Sequence, residues 1–268
     1  MGVSLLERQG RNIVLTEVGR QLAAAVSAPL NEIAFSVQLM RRRRGALRRL
    51  VVRTSLPTFA FTTLNPRLPE FGALHDHIPV DILTSATPQD LLGDFDVLIS
   101  RDLVPALPMR EWKIADEHVV CVGAPGVVQS MSRSGRWTKQ ICTVNSRPDI
   151  LPAWLASMGM REEDVRLGAR YAHHYMAIPA ILAGGGLLVA PEIVVSDYIK
   201  KQLLLVVEAS RVATGMSYSA FANDRSPLPD LSAAFCRWVA RIYKDDCIQD
   251  LVGLDEKKGR TRSLSQSG

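Results

Sequence analysis

Leu50-Val51-Val52-Arg53-Thr54-Ser55-Leu56-Pro57-Thr58-Phe59-Ala60 carries a short apolar strand, a polar turn and the opening of a helix. Leu50–Thr54 is rich in branched apolar residues and stops at Ser55, which suits a buried strand. From Pro57 to His75 the apolar residues Phe59, Leu64, Leu68 and Phe71 fall at helical spacing. The same unit then recurs along the chain. Strands are expected at Val80–Thr84, Asp96–Ser100 and His118–Gly123. A second set follows: strand Ile141–Asn145, helix Leu151–Met158, strand Val165–Ala169, helix His174–Ala183, strand Leu187–Ala190, helix Ile193–Lys201 and strand Leu204–Val207. Tyr218–Asn223 reads as one more strand. Leu228 to Ile248 reads as a last helix, with Leu231, Phe235, Trp238, Val239 and Ile242 on one face. Strands alternating with helices imply parallel βαβ units and an α/β fold.

The first fifty residues follow a different pattern. Gly2-Val3-Ser4-Leu5-Leu6-Glu7-Arg8-Gln9-Gly10-Arg11-Asn12-Ile13-Val14-Leu15-Thr16, closed by Glu17-Val18-Gly19, reads as a basic turn between two short strands, then a helix start. Thr16 is a good N-cap, and Glu17 suits the positive end of a helix. A hairpin with Arg8 and Arg11 at its tip has the shape of a wing that touches DNA phosphates. From Thr16 to Arg44 a long helix is expected, with Leu22, Val26, Leu30, Ile33, Val37 and Met40 forming a stripe that suits pairing with another helix. Pro29 lies inside it, where proline costs about 3 kcal/mol without local compensation and kinks the axis. Arg41-Arg42-Arg43-Arg44 and Gly45 suit a cationic helix end and stop; a solvated helix end and additional phosphate contact are both open readings.

Charge is more informative by location than in total. Residues 1–50 hold nine arginines against three glutamates, a balance of +6, while the whole 268-residue chain is +5. The excess basicity therefore lies in the first fifth, which points to a nucleic-acid-facing end and a neutral remainder. At 47% apolar and 22% charged the composition is that of an ordinary globular protein. No apolar run reaches the ~18–20 residues of a membrane span. Glu7, Arg8 and Arg11 stand where a secretion signal needs its apolar core, so a cytoplasmic protein without membrane partners is expected. Cys121, Cys142, Cys236 and Cys247 have no C-x-x-C spacing and read as buried or idle thiols. The stretch after Leu254, from Asp255 through the Ser-rich end, is expected to be disordered.

The N-terminal stretch resembles the end of the winged helix-turn-helix in LysR-type bacterial transcription regulators, where L-G-x-x-L-F-x-R, a basic turn and L-T-x-x-G recur in order. Met1 stands where that family has Leu, and Leu6 replaces the usual Phe. Tyr171-Ala172-His173-His174-Tyr175-Met176-Ala177-Ile178-Pro179-Ala180, with Ala183-Gly184-Gly185-Gly186-Leu187-Leu188-Val189-Ala190-Pro191, is similar to F-x-H-F-Y-x-A-L-Q-A…A-G-x-G-V-A-L-G-P. That string belongs to the LysR branch related to the glycine-cleavage activator. Pro179 departs from it, since the relatives carry Gln. Leu50–Ala60, with Pro66-Arg67-Leu68, is similar to the opening of the family's effector domain.

The resemblance implies a two-lobed, periplasmic-binding-protein-like effector domain preceded by a long dimerisation helix and the remnant wing of a winged helix-turn-helix. On this chain it places the wing at 1–15, the linker helix at 16–44, lobe 1 at 49–118 and 225–248, and lobe 2 at 124–217. Crossover strands are placed at 119–124 and 218–224, and a disordered tail at 252–268. The recognition helix, which precedes the wing in that family, would lie before Met1, so this chain is expected to bind DNA weakly and without reading sequence. The implied partners are promoter DNA for the complete protein, a small-molecule effector such as a carboxylate, and further copies in a homodimer or homotetramer.

A ligand between the lobes would meet strand ends and helix N-termini. Ser55 and Thr58 flank Pro57 where free backbone N–H groups favour an anion, although Thr58 could instead cap the helix. Arg101 directly follows a buried strand and could pair with a carboxylate at the cleft mouth, or bridge Asp102 or Asp96. Asn145 and Ser146 end the first strand of the second lobe, where an ordinary turn is the competing reading. His173 could donate to a ligand or be a packed histidine. Ser85 and Tyr175 complete the expected effector set.

Metal binding has little support. His173 and His174 are adjacent and point apart, no carboxylate sits at i+3 or i+4, and His75-Asp76-His77 has the same weakness. Ala183-Gly184-Gly185-Gly186 lacks the Lys-Ser/Thr of a phosphate loop and runs from helix to strand, so it reads as a turn. No Ser-His-Asp or Cys-His set stands in motif context, so neither a catalytic residue nor a cofactor is expected. A ligand-responsive transcription regulator is the leading reading. A solute-binding receptor of the same two-lobe fold is the alternative, and a two-lobe enzyme is third.

Overall fold

The computed structural model describes residues 4–9, 12–23, 26, 49–84, 95–101, 109–134, 139–207 and 210–243. Arg11, Ser85, Leu30, Ile33, Val37, the four-arginine run and the 252–268 tail fall outside these residues.

The chain begins with an antiparallel hairpin. Strand β1 (Leu6–Gln9) pairs β2 (Asn12–Leu15), with Leu6 opposite Leu15 and Arg8 opposite Ile13. Thr16 then accepts the Gly19 N–H at 3.0 Å on its Oγ1, while its hydroxyl donates to the Ser4 carbonyl at 2.8 Å. The threonine thus caps the helix that begins at 17 and ties it to the hairpin. Gly19 is required there, because a Cβ would stand 2.1 Å from the Leu5 carbonyl oxygen.

The remaining strands form one nine-stranded sheet among the described residues: β3 (Leu50–Thr54), β4 (Val80–Thr84), β5 (Val97–Arg101), β6 (Met109–Gly123), β7 (Gln140–Val144), β8 (Arg166–Tyr171), β9 (Leu187–Pro191), β10 (Leu205–Val206) and β11 (Val212–Asn223). Their order is β4-β3-β5-β11-β6-β9-β7-β8, with β10 on β6. At each end the pairs are parallel, β4–β3–β5 and β8–β7–β9, as βαβ connections demand. The long strands β6 and β11 lie antiparallel between them and join the two lobes.

The change of partners on these two strands locates the passage between lobes. β6 pairs β9 through Val119–Gly123, and β11 pairs β5 through Tyr218–Ala222. The expected crossings at 119–124 and 218–224 therefore each contain strand paired inside one lobe. The partner change comes just before each, and a register shift in β11 between Ala213 and Ser217 bends the ladder there. Both strands are longer than the sequence suggests. Met109–Glu117 and Val212–Ser217 are charged, polar or Gly-containing and mostly exposed or half-exposed, so they carry no apolar run to announce a strand. The helix Pro125–Ser134 was also unanticipated.

Where both faces of a strand are covered, the sequence is apolar throughout. Val120 and Val122 of β6 point into the main core, while Val119 and Cys121 point into a second core around Trp154. Trp154 is fully buried and donates its indole N–H to the Ser210 carbonyl at 2.8 Å. Cys121 and Cys236 are free and buried, and burial pushes both thiols up, as inert core residues. The helical stretch 57–74 contains a wider π turn at Ala60–Leu64 just ahead of Pro66. Pro66 has no N–H and crowds the carbonyl four residues earlier, and the wider turn, closed by Asn65 N–H to the Ala60 carbonyl, accommodates it.

Candidate functional site

The start of helix 57–74 faces the second lobe across a cavity holding about 420 Å³ of empty space, part of it open to solvent. Ser55, Thr58 and Phe59 wall it from the first lobe. Ser146, Arg147, His174 and Val194 wall it from the second, and Tyr218 of β11 closes the hinge side. Pro57 occupies the first helical turn, and Leu56 donates its N–H to the Thr54 hydroxyl at 3.0 Å. Thr58 therefore does not cap this helix, and its buried side chain stands in the cavity wall. Thr58 and Phe59, whose first-turn N–H groups have no intrahelical carbonyl to reach, both line this space. Ser55 Oγ lies 3.0 Å from Ser100 Oγ, which fixes its rotamer at the end of β3.

Ser55, Thr58 and Ser146 of the expected effector set thus share one cavity. The other described members lie outside its lining. Asn145 and Ser146 donate backbone N–H groups to the Tyr171 and Ala172 carbonyls, and the Asn145 side chain is exposed. His173 stacks on Tyr175 with centroids 5.4 Å apart, and Tyr175 meets Phe61 of the first lobe at 5.3 Å. That aromatic set bridges the lobes beside the cavity.

Arg101 reaches carboxylates other than the two considered from sequence, of which Asp102 lies outside the described residues. Its Nη1 donates to Glu117 Oε2 at 3.2 Å and lies 3.7 Å from Asp149. Glu117 is the centre of the hinge. Its side chain is fully buried. It accepts Arg147 Nη1 at 2.9 Å and Nη2 at 3.1 Å, the Thr214 hydroxyl at 2.9 Å, and the Tyr218 hydroxyl in a short contact. Donors from β5, from the loop after β7 and from β11 therefore converge on one carboxylate of β6. Arg147 also binds Asp149, through Nε at 3.1 Å and Nη2 at 3.0 Å.

The electrostatics follow from this geometry. Burial would raise the Glu117 carboxyl, but the hydrogen bonds from Arg147 and Tyr218 and the two guanidinium charges hold it below the ordinary carboxylate range. The Arg147 bond holds the Asp149 carboxyl low as well. Burial and the Glu117 charge push the Tyr218 phenol up, so it remains a donor. His174 is 3% exposed. Burial and the Arg147 charge bring its pKa down to about 4, against a hydrogen bond to the Val189 backbone that favours protonation. The cavity thus presents hydroxyls, helix N–H groups and a neutral imidazole.

Sequence reasoning missed Glu117, Arg147, His174 and Tyr218. His174 lay within a quoted motif, one residue from the expected His173, and Tyr218 opened an expected strand. Glu117 lies in Ala115-Asp116-Glu117-His118, which reads locally as a solvated run.

Residues 43–243 match the family described as the LysR substrate binding domain. The chain is a LysR-type regulator. This LysR-type chain is 27% identical over 212 residues to the HTH-type transcriptional regulator TrpI of Pseudomonas aeruginosa, spanning 74% of this chain and 68% of that protein. It is 22% identical over 247 residues to the glycine cleavage system transcriptional activator of Escherichia coli, spanning 89% and 79%. Among solved structures, the effector domain of AmpR from Pseudomonas aeruginosa superposes with a TM-score of 0.59 at 18% identity, covering 76% of this chain and 99% of that one. CrgA of Neisseria meningitidis, a LysR-type regulator, gives 0.59 at 16% identity, covering 90% and 84%. These likenesses establish the two-lobed LysR effector-domain fold. Among the described residues no helix is long and apolar enough to cross a membrane.

Proposed function

We infer that the cavity between the lobes is the effector site of this LysR-type transcriptional regulator. The carrying observation is that one space is walled by Ser55 and Thr58 of the first lobe, Ser146 and His174 of the second, and Tyr218 on a strand joining them. A molecule touching both lobes and the hinge binds some lobe arrangements better than others, which is what shifting a conformational equilibrium requires. Hydroxyls and first-turn N–H groups favour a small anionic metabolite, with its carboxylate against Ser55 and Thr58. The reading is non-catalytic and cytoplasmic. Homo-oligomer formation is assigned to the 16–44 helix, of whose stripe Leu22 and Val26 are described, and Val26 is exposed. The β1–β2 hairpin, bearing exposed Arg8, is the phosphate-touching wing.

A thermal-shift screen of amino acids, short carboxylates and aromatic acids tests this. A ligand at ~100 Kd adds about 2.7 kcal/mol, and roughly 2–4 °C per kcal/mol is expected for a domain of this size. At least one compound therefore raises Tm by several degrees, and Ser55→Ala with Thr58→Ala reduces the shift. A screen with no responding compound contradicts the reading.

A further inference from the structure

We propose that Glu117 determines the charge of the molecule this cavity accepts, by holding the hinge arginines with a carboxylate from the chain itself so that dianionic ligands are excluded. This rests on the cavity being the effector site. Among the described residues, Arg147 is the one ionised side chain in the cavity wall. Its guanidinium is bidentate to Glu117 at 2.9 and 3.1 Å and also bound to Asp149 at 3.0 Å. Arg101 behind it pairs the same two carboxylates, at 3.2 and 3.7 Å. Two arginines and two acids sum to zero, and one acid is fully buried and cannot turn out to solvent. Tyr218 and Thr214 commit their hydroxyls to Glu117 too.

The ligand's hinge end therefore finds no uncompensated cation. A carboxylate placed there would sit beside Glu117 and Asp149 and would have to displace one of them from a charge-assisted, bidentate pair. On the first-lobe wall, the Ser55 and Thr58 hydroxyls hold one negative group. The accepted class is a monoanion with an uncharged far end that meets Ser146 and the neutral His174. Glu117 does not touch the ligand; it acts through Arg147.

The test uses butanoate and glutarate as matched monoanion and dianion at about pH 7, titrated into the whole chain and read by thermal shift and calorimetry. Wild type binds butanoate at least as tightly as glutarate. Glu117→Gln keeps the size of the side chain but leaves the cluster at +1, so glutarate binding tightens about tenfold or more while butanoate changes less than about threefold. The double variant Glu117→Gln/Arg147→Gln loses that gain. Asp149→Asn, at a half-exposed position, releases the same guanidinium and gives a smaller gain in the same direction, which serves if Glu117→Gln does not fold. A wild type that prefers glutarate tenfold overturns the proposal. So does a folded Glu117→Gln or Asp149→Asn with unchanged glutarate affinity, or a gain that survives loss of Arg147. If no carboxylate binds wild type while the variant gain appears, the effector reading fails and the charge role of Glu117 stands.

Discussion

Burial beside Arg147 keeps the His174 imidazole neutral, with its pKa lowered to about 4 from 6.5. The unfolded chain takes up a proton on this histidine below pH 6.5, and the folded chain does so only below about 4. Stability therefore falls as pH drops through that window, because the unfolded state binds more protons there. Glu117 acts in a separate range. Its folded pKa lies below the ordinary value of 4.5, so its contribution is complete above that value and is lost as pH falls through the folded pKa. Between pH 7 and pH 5 the histidine effect dominates, at roughly 2 kcal/mol for one group shifted this far. In urea unfolding, His174→Gln is expected to remove most of that loss. An unchanged pH dependence in the variant would show that this imidazole is not buried neutral. The residue scale is also where the sequence is least legible. His173 and His174 differ by one residue of helix phase, and only the observed helix start at His174 selects which of them faces the cavity.

At the scale of elements, the turn Ala183–Gly186 joins the helix His174–Leu182 to β9. Gly186 has φ of +122°, and a Cβ there would stand 2.5 Å from the Gln140 carbonyl oxygen. Gly186→Ala combines a conformation that L side chains rarely adopt with a backbone clash, and is expected to cost about 2 kcal/mol or more. Gly126→Ala is the control, since nothing lies within 4 Å of its added methyl and it sits in the helix Pro125–Ser134. Alanine is the better helix former, so that variant should be neutral or slightly stabilised. Equal melting temperatures for the two variants would contradict the turn geometry. Apolar strands such as Leu50–Thr54 and Leu187–Pro191, covered on one or both faces, stand out in the sequence because burial demands an apolar composition. The outer halves of β6 and β11 do not, because their partners are chosen by the fold and their exposed faces tolerate charge. Those halves carry Glu117 and Thr214 to the hinge, so the electrostatic centre was hidden along with them.

For the whole molecule, the two lobes meet on the helix 57–74 and the helix Glu192–Lys200. Arg67 Nη2 pairs Asp197 at 2.8 Å, and the Thr63 hydroxyl donates to the Ile193 carbonyl at 3.3 Å. These contacts and the Glu117 hinge flank the cavity, so a molecule bound in it bears on the lobe arrangement from both sides. The overall architecture was legible from the alternation of strands and helices and from the family motifs. Of the cavity lining, Ser55, Thr58 and Ser146 were legible, because they lie on strand ends and helix starts. The most direct measurement is isothermal titration of the compound giving the largest thermal shift into wild type and into Ser55→Ala/Thr58→Ala/Ser146→Ala. Each hydroxyl hydrogen bond contributes about 0.5–1.5 kcal/mol, or more to a charged group, so the triple variant should bind at least about tenfold more weakly. Equal affinity for the two proteins would place the ligand elsewhere and contradict the account.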